Sequence, residues 1–380
     1  ALEGAPPGVE LDPATASVEI TGDAQVRHVL RVRVAEAVPL GTYSLTVRAT
    51  SGSLTREAGL TLTVAERTGA GTTWTLRQTG VPLYGVTHGD GLFVAVGGRG
   101  TILTSPDGVS WTVRASWTGT WLRGVTYGAG LFVAVGYDGT ILTSPDGVNW
   151  TERTSGTGAN LLDVTYGAGL FVAVGWYGTI LTSPDGVSWT ARASGTNQDL
   201  WGVTYGAGLF VAVGYDGTIF TSPDGVSWTA RASTGTWLRG VTYGGGLFVA
   251  VGSGGTVLTS PDGVSWTAQT SGTGAWLYGV THGDGLFVAV GSGGTVLTSP
   301  DGVSWTAQSS GTDAGLGLNG VTYGDGLFVA VGWYGTILTS PDGVSWTARA
   351  PVMYADLDGV TYGNGLFVAV GGQGTIFTSP

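Results

Sequence analysis

Seven aspartates recur in one setting, Ser-Pro-Asp-Gly: Asp107, Asp146, Asp185, Asp224, Asp262, Asp301 and Asp342. A carboxylate in such a turn could ligate a metal, move a proton or cap its own backbone. A calcium loop needs several oxygen ligands at alternating positions, and Ser-Pro-Asp-Gly-Val offers one carboxylate. Pro at the second position pre-sets φ for a type I turn and Gly suits the fourth, while the Asp can accept N–H bonds from its own turn. The seven are expected to be scaffold, and no metal or cofactor is expected. His88 and His282 replace the Tyr of Thr-Tyr-Gly in two distant copies and read as aromatic substitutes. Asp138 and Asp163 could serve as a glycosidase pair only if their separation suited that chemistry.

A second group of residues varies where its surroundings repeat. Eight of the 15 Trp recur at one repeat position: Trp74, Trp111, Trp150, Trp189, Trp228, Trp266, Trp305 and Trp346. The other seven are Trp117, Trp121, Trp176, Trp201, Trp237, Trp276 and Trp333. Trp121, Trp237 and Trp276 each precede a Leu and are expected to cover the core beneath them. The remaining four, with Tyr137, Asp138, Tyr177, Tyr215, Asp216, Tyr334, Arg123 and Arg239, form a candidate binding face. Flat rings beside Asp and Arg suit sugar rings, which stack their C–H faces and hydrogen-bond at the rim.

The elements that must carry these groups follow from the repeat. Gly-Leu-Phe-Val-Ala-Val-Gly starts at Gly91, Gly130, Gly169, Gly208, Gly246, Gly285, Gly326 and Gly365, at intervals of 38 to 41 residues. Each unit holds four short segments with turn signals between them and no 3.6-residue periodicity, which predicts the four-stranded blade of a β-propeller. Eight copies predict eight blades. The last copy lacks its fourth strand, and the stretch from Gly71 to Gly80 supplies an orphan one; Thr72–Leu76 is expected to pair with Thr375–Thr378 and close the ring. Comparison of the copies places the variable turns, between strands two and three and before strand one, at the same end of the ring.

Ser-Pro-Asp-Gly-Val-Ser-Trp resembles the Asp-box of BNR-type propellers (sialidases, sortilin-like receptors, photosystem assembly factors), one residue shorter than their usual pattern. The resemblance implies that the box is a folding element away from the functional face. Sialidases in that group need an Arg triad and a Glu-activated Tyr. The only Glu after residue 70 is Glu152, on an outer strand, and Arg123 and Arg239 lie three blades apart. The chain is expected not to be an enzyme.

Residues 1–67 form a different region, joined by a linker at 68–71 to the propeller at 72–380. Gly-Ala-Pro-Pro-Gly-Val, then Gly-Thr-Tyr-Ser-Leu-Thr-Val and Leu-Thr-Leu-Thr-Val, resemble Ig-like β-sandwich modules of bacterial surface proteins. Strands are expected near Val9–Leu11, Ser17–Thr21, Val26–Val34, Tyr43–Ala49 and Leu54–Val64, fewer than the seven of an Ig-like sandwich. An upstream segment or a strand from a second copy would complete it, and a self-sufficient small sheet is the third reading.

The bulk composition narrows the partners. All 15 basic residues are Arg, against 26 acids, for a net charge of −11. Phosphate binding needs clustered cations, so nucleic acid is not an expected partner. No apolar run approaches the ~20 residues of a membrane-spanning helix. The chain has no Cys, hence no disulfide. The expectation is an extracellular or cell-surface adhesion or assembly protein with an all-β fold. Residues 1–67 would join it to copies of itself or to a surface protein, and the propeller face would be offered to a glycan or polymer. A filament or surface-layer subunit, a lectin and a glycoside hydrolase are the alternatives.

Overall fold

A computed structural model of the 380-residue chain describes five strands before residue 65, then residues 71, 73–114, 116, 118–231, 234–312, 316–349 and 355–379. The chain divides into two compact units, Ala1–Thr68 and Gly69–Pro380.

In the first unit, Leu2–Glu3, Gly41–Ser51 and Leu54–Val64 form a three-stranded sheet, and Val9–Asp12 pairs with Arg31–Val34. Gly41–Ser51 and Leu54–Val64 pair along their whole length, from Gly41 opposite Val64 to Ser51 opposite Leu54. Among the described residues the other edge of Gly41–Ser51 is paired at Thr46 and Val47, by the short strand Leu2–Glu3, which the sequence pattern did not suggest. The expected strand Ser17–Thr21, and the first half of the one expected at Val26–Val34, lie outside the described residues.

The second unit is an all-β propeller of eight four-stranded antiparallel blades. Blade 1 runs Leu83–Gly89, Leu92–Gly97, Ile102–Ser105 and Thr112–Arg114, and the pattern recurs through blade 7, which ends at Thr347–Ala348. Blade 8 takes Leu357–Gly363, Leu366–Gly371 and Thr375–Ser379 from the end of the chain and Thr75–Gln78 from before blade 1. The closing register sets Thr75 opposite Thr378 and Gln78 opposite Thr375. Closure is as expected, but the strand starts three residues later than Thr72. Trp74 takes the place of the repeat Trp, its indole N–H donating to Gly71 O as Trp111 donates to Gly108 O.

The core lies between blades. The second strand of each blade is buried on both faces: Val94 and Val96 of blade 1 pack with Leu122, Phe132, Ala134 and Leu142 of blade 2. Blade 8 meets blade 1 in the same way, through Val368, Val370 and Ile376 against Leu83, Phe93 and Leu103. Burying each such side chain is worth about 1.5–3 kcal/mol, and the repeat multiplies that around the ring.

Candidate functional site

The two ends of the ring differ. At one end the hairpins between strands one and two and the Ser-Pro-Asp-Gly turns repeat. Asp107 Oδ1 accepts from Ser105 Oγ (2.9 Å), Val109 N (2.8 Å) and Ser110 N (2.7 Å), and the other six boxes share this pattern. These bonds hold the Asp107, Asp185 and Asp301 carboxyls down near about 2, the backbone N–H three residues on contributing most. Asp146, Asp224, Asp262 and Asp342 are lowered by the same donors. His88 and His282 also lie towards this end, packed on Phe93 and Phe287 at 4.6 and 4.5 Å between centroids, and burial lowers the pKa of both. Among the described residues no three His, Asp or Glu side chains converge as metal ligands.

The other end is built from two devices, each repeated eight times. The first is a β-bulge at the start of strand one: Leu83 faces Gly97 and Gly85 faces Val96, leaving Tyr84 as the extra residue. A bulge re-aims its side chain, and the residues at this position are Tyr84, Arg123, Leu162, Trp201, Arg239, Tyr278, Asn319 and Asp358. The second is a three-residue turn between strands two and three whose middle residue has a left-handed conformation. That residue is Arg99, Asp138, Tyr177, Asp216, Gly254, Gly293, Tyr334 or Gln373, at φ between 54° and 66°. Glycine adopts this conformation freely, whereas a bulky side chain costs roughly 1–2 kcal/mol there. Blades 5 and 6 show that Gly serves, so Tyr177 and Tyr334 are carried at a cost. Their backbone N–H groups are held at 3.0 Å by Asp199 Oδ1 and Asp356 Oδ1 of the following blades.

These devices assemble an aromatic belt. Tyr84 stacks on Trp121 at 5.6 Å, Trp121 on Tyr137 at 5.8 Å, and Trp176 follows at 6.1 Å with Tyr177 edge-on at 6.2 Å. In blades 4 to 6 Tyr215 meets Trp237 at 4.5 Å and Trp237 meets Trp276 at 5.4 Å. The Arg123 guanidinium lies 4.5 Å above Tyr84, and that of Arg239 lies 4.5 Å from Trp201 and 5.7 Å from Tyr278, arrangements of cation–π type. Trp333 and Tyr334 stand exposed in blade 7.

The placements correct two readings. Trp121 and Trp276 do not cover the core: they are 45% and 40% exposed, and the following Leu122 and Leu277 fill the core instead. Trp176 is not a free platform; it is half-buried, and its indole N–H, like that of Trp201, is buried without an acceptor among the described residues. Tyr177, at 68% exposure, presents the larger open surface. Asp138, Tyr215 and Asp216 are exposed on this end and Tyr137 is half-buried. Trp117 lies outside the described residues. Asp163 is no free carboxylate: it accepts from Val164 N at 2.8 Å and from Val203 N of blade 4 at 2.9 Å, tying two blades.

Tyr84, Tyr278, Asp358 and Gln373 stand at variable positions of this end that the sequence reading left out of the candidate face, and Asp356 is the residue it missed. Tyr84, Asp356, Asp358 and Gln373 line, with Trp333 and Tyr334, a cleft of about 590 Å³ where blades 7, 8 and 1 meet. Asp358 keeps an exposed edge, and desolvation at the cleft wall raises it to about 6, with Arg123 opposing the rise and Asp356 adding to it; burial raises Asp163 to about 6 against its two N–H bonds.

A pH profile follows from these shifts. A carboxyl raised in the folded state stabilises the fold below about pH 4, and that contribution is lost as pH rises towards 6. The box aspartates act oppositely, favouring the fold above about pH 4 and losing that contribution as pH falls towards 2. The melting temperature should therefore climb as pH rises from 2 to 4; between pH 5 and 7 the two raised carboxyls lower it while His88 and His282, held below their ordinary range by burial, raise it, so Asp163→Asn with Asp358→Asn should lift the melting temperature at pH 7 relative to that at pH 4. A double variant that keeps the wild-type dependence between pH 4 and 7 would refute this.

No known protein family matches the chain, and no curated protein matches it. Solved structures do. The computationally designed Ika8 protein aligns with TM-score 0.68 and 12% identity over 82% of this chain and 99% of its own. YCF48 from Cyanidioschyzon merolae aligns with TM-score 0.55 and 18% identity over 70% and 97%. A catalytically inactive virginiamycin B lyase from Staphylococcus aureus, with quinupristin, gives 0.58 and 13% over 80% and 98%. What they share with this chain is the fold. At such identities a likeness says nothing of ligand or activity.

Proposed function

We propose that the chain is a non-enzymatic extracellular adhesion or assembly protein, a variant Asp-box propeller preceded by part of an Ig-like surface module. Its aromatic end binds carbohydrate or a polymer surface. The observation that carries this reading is the pair Tyr177 and Tyr334, exposed rings held in a conformation that Gly occupies in the equivalent turns of blades 5 and 6. Stability does not account for them, and contact with something outside the chain does. The belt of rings around them, with Asp, Asn and Arg between, suits stacked sugar rings with hydrogen bonds at the rim. The absence of catalysis is supported by the engagement of Asp163 and by the exposed outer-strand position of Glu152.

A peptide is the competing ligand, since a similar propeller, YCF48, is known bound to a D1 peptide. A filament subunit is the competing role, favoured by the edge of Gly41–Ser51 that, among the described residues, only Leu2–Glu3 pairs, and which a strand from a second copy could extend. The test is Tyr177→Gly combined with Tyr334→Gly, measured on a glycan array and by calorimetry. Retention on the cognate glycan should fall at least about tenfold, a change of about 1.4 kcal/mol, while the melting temperature stays level or rises. Lost folding cannot then explain lost binding. No glycan retention by the wild type would defeat the carbohydrate reading, and a polymer in the native preparation would then favour the filament.

A further inference from the structure

The innermost strands repeat, without its acid, a carboxylate site that the chain fills once for itself. Strand one of each blade enters with Leu, the bulge residue, Gly and Val, and in blade 3 alone the Gly is replaced, by Asp163. Its carboxylate bridges two blades: Oδ1 accepts from Val164 N at 2.8 Å and Oδ2 from Val203 N at 2.9 Å. We infer that the equivalent position between blades 5 and 6, at Gly240, takes the carboxylate of an acidic sugar from outside the chain. The inference rests on the reading that this end of the propeller binds glycan, and it names the class of sugar.

The backbone donors are the same in both places. Val164 and Val203 stand opposite Ala173 and Ala212, and Val241 and Val280 stand opposite Ala250 and Ala289 in the same register. Their N–H groups therefore point the same way, and Gly240, lying where Asp163 lies, has no side chain to accept from them. Converging backbone N–H groups make an anion-binding concavity.

Arg239 singles out this interface among the glycine copies. Two bulge residues are cationic, Arg123 and Arg239, each followed by Gly. Beside Arg123 the pair of donors is incomplete, because Val164 N is already held by Asp163. Beside Arg239 both Val241 N and Val280 N stay clear of that carboxylate. The Arg239 guanidinium is half-buried, 4.5 Å from the Trp201 ring and 5.7 Å from that of Tyr278. Ring contact takes up its faces and leaves its N–H edge, from which no side chain or carbonyl accepts among the described residues. Burial lowers its pKa, Tyr278 opposing the fall and Arg123 adding to it, and no carboxylate shares in the balance. A guanidinium edge drawn partly out of water gains most from an oxyanion, which meets it with charge-assisted hydrogen bonds.

The sugar follows from the surroundings. Trp276, two residues before Tyr278 at the entry of blade 6, is 40% exposed and offers a face for C–H stacking. A neutral sugar would stack there and leave the Arg239 edge unmet, an amino sugar would be repelled by it, and a uronic acid meets both.

The experiment is calorimetric titration of the full chain at pH 7 with a galacturonic acid tetramer and its methyl ester, with acetate as a third probe. The acid should bind at least about tenfold tighter than the ester. Gly240→Asp supplies at this interface the carboxylate that Asp163 supplies in blade 3, and it should erase the preference while the melting temperature stays level or rises. The position admits a side chain: Gly240 has no left-handed φ, and the atom nearest an added Cβ is Tyr278 O at 3.1 Å. Arg239→Gln should weaken the acid about tenfold and leave the ester unchanged. Equal or tighter binding of the ester would overturn the carboxylate site and leave the glycan reading standing. An acid preference kept in both variants would overturn its placement at Gly240. Acetate binding that Gly240→Asp abolishes, with neither tetramer bound, would keep the carboxylate site and overturn its assignment to a sugar. Absence of binding by any carboxylate would overturn the inference outright.

Discussion

A chain lacking residues 1–79 should melt more than about 10 °C below one that begins at residue 69, and should aggregate on heating. The difference between the two is the strand Thr75–Gln78 and the Gly71–Trp74 turn before it. That strand covers the outer edge of Thr375–Ser379, and Thr79 N donates to Gly374 O at 2.9 Å beyond it. Gly71 N donates to Ser379 Oγ at 3.0 Å, and Trp74 lies 6.4 Å from Phe367, partly covering the core between blades 7 and 8. Loss of the strand bares a four-residue edge and part of the Phe377 surface together. It also removes the strand pairing that ties the two ends of the propeller, leaving blades 8 and 1 joined by their packed cores and by Asn364 Nδ2, which donates to Gly91 O at 3.2 Å. Scanning calorimetry of both truncations decides it. Coincident melting curves would mean that packing between the innermost strands holds the ring without the clasp.

Gly147→Val should cost about 3 kcal/mol or more, among the larger effects of any single change outside the hydrophobic core. Two causes add. Gly147 sits at φ +68°, where a β-branched residue is strained. A Cβ there would also fall 2.3 Å from Leu92 Cδ2 of the preceding blade, well inside contact distance. Gly156→Ala separates the two causes, because Gly156 has φ +74° but nothing within 4 Å of the added methyl. That variant should lose only the conformational part, about 1–2 kcal/mol. Urea titration with unchanged slope reads both. Equal losses at the two positions would show that the Leu92 contact relaxes freely.

The blade count and the closure were legible because both are written as repetition: eight copies of one apolar strand and one orphan strand with its Trp. The exact start of that strand was not, since Thr72 to Thr75 alternate too weakly to fix register, and the pairing is set by Trp74 occupying the repeat position. The variable end was legible from differences between copies, yet the weights given to its residues were wrong in part. A Trp before a core Leu reads as core, but successive residues of an extended chain face opposite ways, so Leu122 enters the interior and Trp121 stays outside. Trp176 reads as an exposed turn residue, and its neighbours Tyr137 and Tyr177, one blade away and one residue away, take up part of its surface. Asp358 stands in the variable series at the entry to strand one, but its grouping with Asp356 and Tyr84 became visible only when the ring brought blade 8 beside Tyr84, which lies over 270 residues earlier in the chain.

The clasp also bears on how such a chain can change over generations. The joint between first and last segments lies inside one blade, between Thr75–Gln78 and Thr375–Ser379, while every junction between blades is the same covalent link. Gain or loss of a whole 39-residue unit by recombination between its near-identical copies would therefore leave the joint untouched. Each such event would also shuffle which aromatic turn neighbours which. A lineage could try new arrangements of the face wholesale, by copy number, without first solving the problem of closing a circle.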